Sequence, residues 1–153
     1  MIDLLLAAAV LAAETKDAPV STRDPQSVAR FLIDEGYQAK LDKDKTGDPM
    51  IRSSVGGTSF LIYFYGCKSN RDCEELQFAA AYDSPDNKGP SLETINKWNA
   101  SYRYAQASLD VEKDPGIRTE VIFHEGTMSR AAFARHLEIW ADSVGDFEKH
   151  IGW

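Results

Sequence analysis

The two cysteines are the residues of this chain with the clearest chemistry, because two thiols can form a disulfide, exchange electrons or hold part of a metal site. Cys67 and Cys73 are the only cysteines among the 153 residues. Their spacing is not the C-x-x-C pattern of thiol oxidoreductases, and two thiols cannot complete a tetrahedral zinc site. The spacing therefore favours a structural disulfide. Two unpaired thiols, a redox pair or half of a metal site are the alternatives.

The three histidines, His124, His136 and His150, do not have the spacing of a known metal-ligand motif. His136 and His150 fall on one predicted helix about 20 Å apart, at about 1.5 Å rise per residue, and cannot share a metal within one subunit. His124 and Glu125 could form an acid–base pair, but they follow a predicted strand, where a surface turn is expected. The chain also contains no P-loop, G-x-S-x-G or G-x-G-x-x-G motif. The sequence therefore predicts no catalytic residue, no cofactor, no metal and no enzymatic activity.

An acidic segment, Asp42 to Pro49, resembles the first half of a calcium-binding EF-hand loop, with acids at its first and third positions and Gly47 at its sixth. The second half departs from that pattern, because Ser53 stands where a bidentate glutamate is needed. The segment is therefore predicted to be a solvated hairpin turn.

The composition is that of a folded, water-soluble protein, with 43% hydrophobic and 27% charged residues. The length allows one domain with a substantial core. A net charge of −7 argues against non-specific binding to nucleic acid or to an anionic membrane.

The first thirteen residues, Met1 to Ala13, are apolar except for Asp3. This stretch is too short to span a bilayer and has the length of a signal-peptide core, although no Lys or Arg precedes it. A terminal helix docked on the domain is the alternative. We predict a signal peptide at 1–13, a linker at 14–23 and one domain at 24–153. A leader and a cysteine pair together predict a periplasmic or secreted protein.

Three helices are predicted from their start signals and apolar periodicity. Asp24-Pro25 begins the first, which ends at Gly36, and Ser91 caps the second. Ser129 caps the third, in which one continuous apolar stripe recurs every three or four residues: Phe133, Leu137, Trp140, Val144, Phe147 and Ile151.

Strands are predicted at 37–41 and 50–55, in a hairpin from Thr58 to Tyr82, and in a second hairpin formed by 105–111 and 117–123. In the first arm of the Thr58–Tyr82 hairpin, one face carries Phe60, Ile62 and Phe64, and the other carries Leu61, Tyr63 and Tyr65. Both faces are apolar, so we expect both to be at least partly covered. The order helix, four strands, helix, two strands, helix predicts an α+β fold with helices packed on an antiparallel sheet.

The segment Ile95-Asn96-Lys97-Trp98-Asn99, followed by Tyr102-Arg103-Tyr104-Ala105 and a strand ending Leu109-Asp110, resembles the YbjN family of bacterial sensory transduction regulators. The acidic turn near Gly47, the aromatic strand leading into Cys67, and Cys73 with Leu76 and Phe78 beyond it fit the same family. The resemblance extends from Asp24 to Trp153.

The resemblance implies a fold like that of type III secretion chaperones, which work by binding protein and commonly dimerise, and it transfers no catalytic residue. The leader and the cysteine pair depart from the cytoplasmic members and indicate an exported branch. We therefore predict a non-enzymatic, exported protein-interaction domain, chaperone-like or regulatory, and possible homodimers. A small-ligand-binding protein or an unrecognised envelope enzyme, with a cleft near the second hairpin, is the alternative. Candidate partner-binding residues are Trp98, Tyr102 and Trp140, although Trp98 shares an apolar helical face with Ile95 and is expected first of all to pack in the core.

Overall fold

Six antiparallel strands form the main sheet of the computed structural model, which describes residues 18–153. The predicted signal peptide at 1–13 lies outside the described residues. A short 3-10 helix, Pro85–Asn87, lies in the loop before the second α-helix. In chain order the elements are β1 (Val20–Ser21), α1 (Pro25–Asp34), β2 (Lys40–Lys43), β3 (Pro49–Val55), β4 (Thr58–Tyr65), β5 (Glu75–Ala81), α2 (Leu92–Ser101), β6 (Gln106–Leu109), β7 (Pro115–Ile122), β8 (Thr127–Met128) and α3 (Arg130–Ile151).

The strand order in the main sheet is β2-β3-β4-β5-β7-β6, and β1 pairs with β8 in a separate two-stranded sheet. Every paired neighbour in both sheets is antiparallel. The predicted α+β class and the predicted order of helices and long strands are confirmed. The two arms of the cysteine-containing hairpin, β4 and β5, form the middle of the main sheet.

The helices begin where their capping residues predict. The side chains of Asp24, Ser91 and Ser129 each accept a hydrogen bond from a backbone N–H in the first turn of their helix, at 3.1–3.2 Å. After α1, Gly36 takes a φ of +86°, a left-handed conformation that suits glycine.

The core lies between one face of the main sheet and all three helices. Phe60, Ile62 and Phe64 of β4 point into it and are buried. The ring of Trp140, from α3, stacks on Phe78 of β5 with a centroid separation of 5.7 Å. Phe31 of α1 and Trp98 of α2 belong to the same cluster. The helices therefore cover one face of the sheet.

The segment before α1 departs from the predicted linker, because its described part packs against the domain. Val20 and Thr22 are buried, and the Thr22 hydroxyl donates a hydrogen bond of 2.5 Å to the carbonyl of Cys73. Strands of two residues, such as β1 and β8, have too little periodicity to be predicted from sequence.

The second hairpin is shorter than predicted at its first arm, since β6 ends at Leu109 and Val111 is 99% exposed. The carboxylate of Asp110 accepts hydrogen bonds of 2.9 Å from the N–H groups of Glu112 and Asp114. The turn begins at Asp110, so the strand ends before it and Val111 does not pair with the sheet.

Candidate functional site

The second face of the main sheet faces away from the helices, and we call it the open face. Side chains alternate between the two faces along each strand, so the residues of the open face follow from the register. In the order of the strands across the sheet, its main residues are Lys40 and Asp42 of β2, Met50 and Arg52 of β3, Leu61, Tyr63 and Tyr65 of β4, Glu75, Gln77 and Ala79 of β5, and Arg118, Glu120 and Ile122 of β7.

The outer face of β4 is partly covered, as expected for a strand with both faces at least partly covered. Leu61 and Tyr63 are half-buried by their neighbours in the sheet, whereas Tyr65 is 41% exposed. Further across the same face, Ile122 is 72% exposed. The sheet therefore presents apolar and aromatic surface to the outside.

An open hollow of about 470 Å³ lies on the β3–β4 side of the open face, and we call it the tyrosine hollow. Met50 lies directly opposite Tyr63 in the strand register, and the rings of Tyr63 and Tyr65 are 6.3 Å apart. Partial burial raises the pKa of Tyr65 above its ordinary value, and Tyr63 adds to the shift. The lining consists of Lys43, Asp44, Lys45, Thr46, Met50, Arg52, Leu61, Tyr63 and Tyr65.

Charged and amide side chains elsewhere on the open face pair with one another. The Gln77 amide donates a hydrogen bond of 2.8 Å to the carboxylate of Glu120. The guanidinium of Arg118 contacts Gln106 at 3.3 Å and Glu120 at 4.0 Å. These groups form a hydrated polar area beside the tyrosine hollow.

The acidic turn between β2 and β3 forms one wall of the hollow and is closed by its own hydrogen bonds. One carboxylate oxygen of Asp44 accepts from the N–H and the hydroxyl of Thr46, both at 2.8 Å, and from the N–H of Asp48 at 3.0 Å. The Thr46 hydroxyl bond is the main reason why the pKa of Asp44 lies below its ordinary value. The turn is a hairpin connection, as predicted, in which one oxygen of Asp44 is occupied by hydrogen bonds from within the turn.

The disulfide Cys67–Cys73 closes the loop between β4 and β5 and lies at the same end of the sheet as the acidic turn. Three residues of this loop, Ser69, Asn70 and Asp72, have φ values of +53°, +59° and +51°, which are costly for residues other than glycine. A covalent bridge across the loop holds these conformations in place.

Asn70 connects the disulfide loop to the acidic turn. Its amide donates hydrogen bonds of 2.8 Å to the carboxylate of Asp48 and 3.3 Å to the carbonyl of Thr46. The two loops next to the tyrosine hollow are thus joined to each other.

The structure places two of the three predicted partner-binding residues in the core. Trp98 and Trp140 have no exposed surface, and the indole N–H of Trp98 donates a hydrogen bond of 2.7 Å to the carbonyl of Ala105. Tyr102 stacks on Trp98 at 3.7 Å and is 38% exposed, so it alone of the three offers surface to a partner. Trp98 and Trp140 pack instead against the other core aromatics.

The predicted alternative, a cleft near the second hairpin, corresponds to an open polar hollow of about 320 Å³ lined by Asp83, Ser84, Pro85, Asp86, Glu112 and Asp114. The Asp114 carboxylate already accepts a hydrogen bond of 2.7 Å from the Ser84 N–H. Within residues 18–153, no group of three or more His, Cys, Asp or Glu side chains is arranged to hold a metal ion.

The histidines lie apart in the fold. His124 is in the turn before β8, and the ring of His150 donates a hydrogen bond of 2.8 Å to the carbonyl of Thr94. His136 is half-buried on α3, and burial lowers its pKa.

Fold and surface together define a small α+β domain that has an antiparallel sheet, helices on one face and an aromatic open face on the other. The model of the YbjN family, described as "Putative bacterial sensory transduction regulator", matches residues 24–153. The chain therefore belongs to the YbjN family, which confirms the resemblance found in its sequence. Among curated proteins, none matches the chain significantly. In the part of the chain from residue 18 onwards, no helix is long and apolar enough to cross a membrane.

Proposed function

We propose that this YbjN protein is a non-enzymatic, exported protein-interaction domain that binds a protein partner through its open face. The observation that carries the proposal is the aromatic and apolar surface that β3 and β4 present on the side away from the helices. Tyrosine, methionine and arginine are enriched in protein interfaces, and Tyr63, Tyr65, Met50 and Arg52 lie together here. The family's description as a regulator fits binding without catalysis.

Rigid support is the second reason for choosing this face. The open face is the outer side of the central strands, whose inner side carries the core, so partner binding requires no rearrangement of the fold. Preorganised surfaces lose less conformational entropy on binding than flexible ones do.

Export is supported by the predicted leader at 1–13 and by the disulfide, since disulfides persist mainly in oxidising compartments. The mass of the mature chain tests this part of the proposal. Removal of residues from the N-terminus is expected, and an intact Met1 on the exported protein would contradict it.

Photo-cross-linking in living cells tests the use of the open face. A photoreactive phenylalanine analogue replaces Tyr65 on the open face or, as a matched control, Tyr104, which is 51% exposed on the helix side of the molecule. We expect a discrete cross-linked product from position 65 and a much weaker one from position 104. Equal yields at the two positions, or a product from position 104 alone, would argue against the proposal.

The size of the cross-linked product also identifies the kind of partner. A product of twice the chain's mass, made only of this chain, would show a homodimer through the open face. A product containing a second protein would show a hetero-complex. Both outcomes support an interaction role for this face, and they separate self-association from binding of another protein.

A further inference from the structure

The Cys67–Cys73 disulfide joins a half-buried cysteine to a fully buried one. Cys73 has no exposed surface, and its carbonyl accepts a hydrogen bond from the buried hydroxyl of Thr22. Cys67 is half-buried, so it is the cysteine of the pair that offers surface to solvent. In thiol–disulfide exchange the rate depends on the access of a thiolate to the sulfur that it attacks. Cys67 is therefore the point at which a reductant can reach this bridge.

The segment between the two cysteines, residues 68–72, depends on the bridge for its position. Lys68 and Arg71 exchange backbone hydrogen bonds of 2.6 and 3.2 Å, but these bonds lie within the segment itself. Within residues 18–153, its hydrogen bonds to other segments come from one exposed side chain, Asn70, which contacts the acidic turn. The left-handed conformation of Ser69 is also unfavourable for a residue with a side chain. Opening the bridge would leave this segment with little to hold it.

The acidic turn receives its contact with the disulfide loop through Asn70. The Asn70 amide donates hydrogen bonds to Asp48 and to the carbonyl of Thr46, and its nitrogen lies 3.5 Å from the position that a Cβ on Gly47 would occupy. Each such hydrogen bond is worth little on its own, so the contact lasts only while Asn70 is held in place. Because the acidic turn forms one wall of the tyrosine hollow, losing this contact would change that end of the open face.

The strands on either side of the bridge pair independently of it. The ladder between β4 and β5 runs from Leu61 opposite Ala79 to Tyr65 opposite Glu75. A reduced Cys73 can stay buried, because free cysteine behaves as a small apolar side chain in protein interiors. Reduction is therefore expected to free the loop without unfolding the domain.

We propose that the Cys67–Cys73 disulfide is a redox switch, opened by a dithiol reductant such as a protein with a C-x-x-C pair, that controls the position of the acidic turn. A thiolate of the reductant attacks the sulfur of Cys67, the disulfide bond breaks, and the sulfur of Cys73 leaves and takes up a proton. The second thiol of the reductant then displaces Cys67 as a thiol and closes the reductant's own disulfide. Two electrons and two protons pass from the reductant to the protein. The switch operates in the isolated domain and does not depend on the proposed function.

The first test places the disulfide-bonded protein in glutathione buffers with an increasing reduced fraction, in which two glutathione molecules supply the two electrons. Structural disulfides generally resist reduction by glutathione, whereas labile ones are reduced by it. Alkylation and mass spectrometry count the thiols, and far-UV circular dichroism monitors the fold. We expect two thiols to appear within this range with an unchanged dichroism spectrum. A bridge that stays oxidised at every ratio, or that opens only as the domain unfolds, would overturn the proposal.

Nuclear magnetic resonance of the ¹⁵N-labelled protein tests the coupling to the acidic turn. Reduction should shift the backbone amide signals of Gly47 and Asp48, while that of Ile62 in the buried face of β4 stays in place. In the matched variant Asn70→Ala, the oxidised protein should already show these shifts, and reduction should add little to them. Unchanged Gly47 and Asp48 signals on reduction of the wild type would show that the bridge does not control the turn.

Two single variants test which cysteine is attacked. Cys73→Ala retains Cys67 and should form a mixed disulfide with oxidised glutathione at least about tenfold faster than Cys67→Ala, which retains the buried Cys73. Equal rates would contradict the assignment of Cys67 as the point of attack. Circular dichroism establishes that each variant is folded.

Discussion

Replacing Trp140 with alanine is expected to lower the free energy of unfolding by about 3–5 kcal/mol, a large loss for a single substitution. Trp140 has no exposed surface and stacks on Phe78 of the central strand β5. Its ring also meets Phe60 edge-on at 5.7 Å. Truncation would leave a cavity between α3 and the sheet that neighbouring rings are too rigid to fill.

Urea denaturation followed by circular dichroism measures this loss. Trp153→Ala is the matched control, because Trp153 is 59% exposed and should cost much less. Since a loss of this size is a large share of a domain's stability, Trp140→Phe provides a milder second variant if the alanine variant does not fold. A loss below about 1 kcal/mol for Trp140→Ala would show that α3 is not anchored as described.

The disulfide is expected to contribute roughly 2–2.5 kcal/mol, because it closes a short loop in the unfolded chain. The double variant Cys67→Ala/Cys73→Ala removes the bridge without leaving a single thiol free to form mixed dimers. It should unfold at lower denaturant concentration than the wild type. Without the bridge, Ser69, Asn70 and Asp72 can leave their left-handed conformations, and the contact between Asn70 and the acidic turn should weaken.

Reductant provides the control for the disulfide. It should shift the wild-type unfolding midpoint toward that of the double variant and leave the double variant unchanged. Identical midpoints for the wild type with and without reductant would show that the bridge does not stabilise the fold.

Much of the fold follows from local sequence signals. Asp24-Pro25, Ser91 and Ser129 start the three helices because each provides a side-chain acceptor for an orphan N–H group. The stripe along α3 is buried from Phe133 to Phe147 because its spacing keeps it on one side of the helix. These features are predictable because a few neighbouring residues determine them.

The parts that could not be predicted depend on contacts between distant segments. Thr22 is buried because its hydroxyl reaches the carbonyl of Cys73, 51 residues away. The hydrogen bond from the indole N–H of Trp98 to the carbonyl of Ala105 is likewise a contact that no local pattern predicts. No periodicity in the sequence carries this information.

The open face cannot be predicted from β4 alone, although the neighbouring strand β5 contains a signal for it. Alternation along β5 puts Glu75 and Gln77 on one face, and the register sets this face beside Tyr65 and Tyr63. The pattern of β4 taken together with that of β5 shows that the tyrosine face lies next to polar residues. By itself, the continuous apolar run of β4 does not reveal which of its two faces the helices cover.

Hydroxyl-radical footprinting tests the central claim, that the open face is where partners bind, most directly. Oxidation of each tyrosine is measured by mass spectrometry in intact cells and in the purified protein. We predict that Tyr63 and Tyr65 are less oxidised in cells than in the purified protein, while Tyr104, on the helix side, is oxidised equally in both. Equal oxidation of Tyr63 and Tyr65 in the two samples, with protection of Tyr104 instead, would contradict the account.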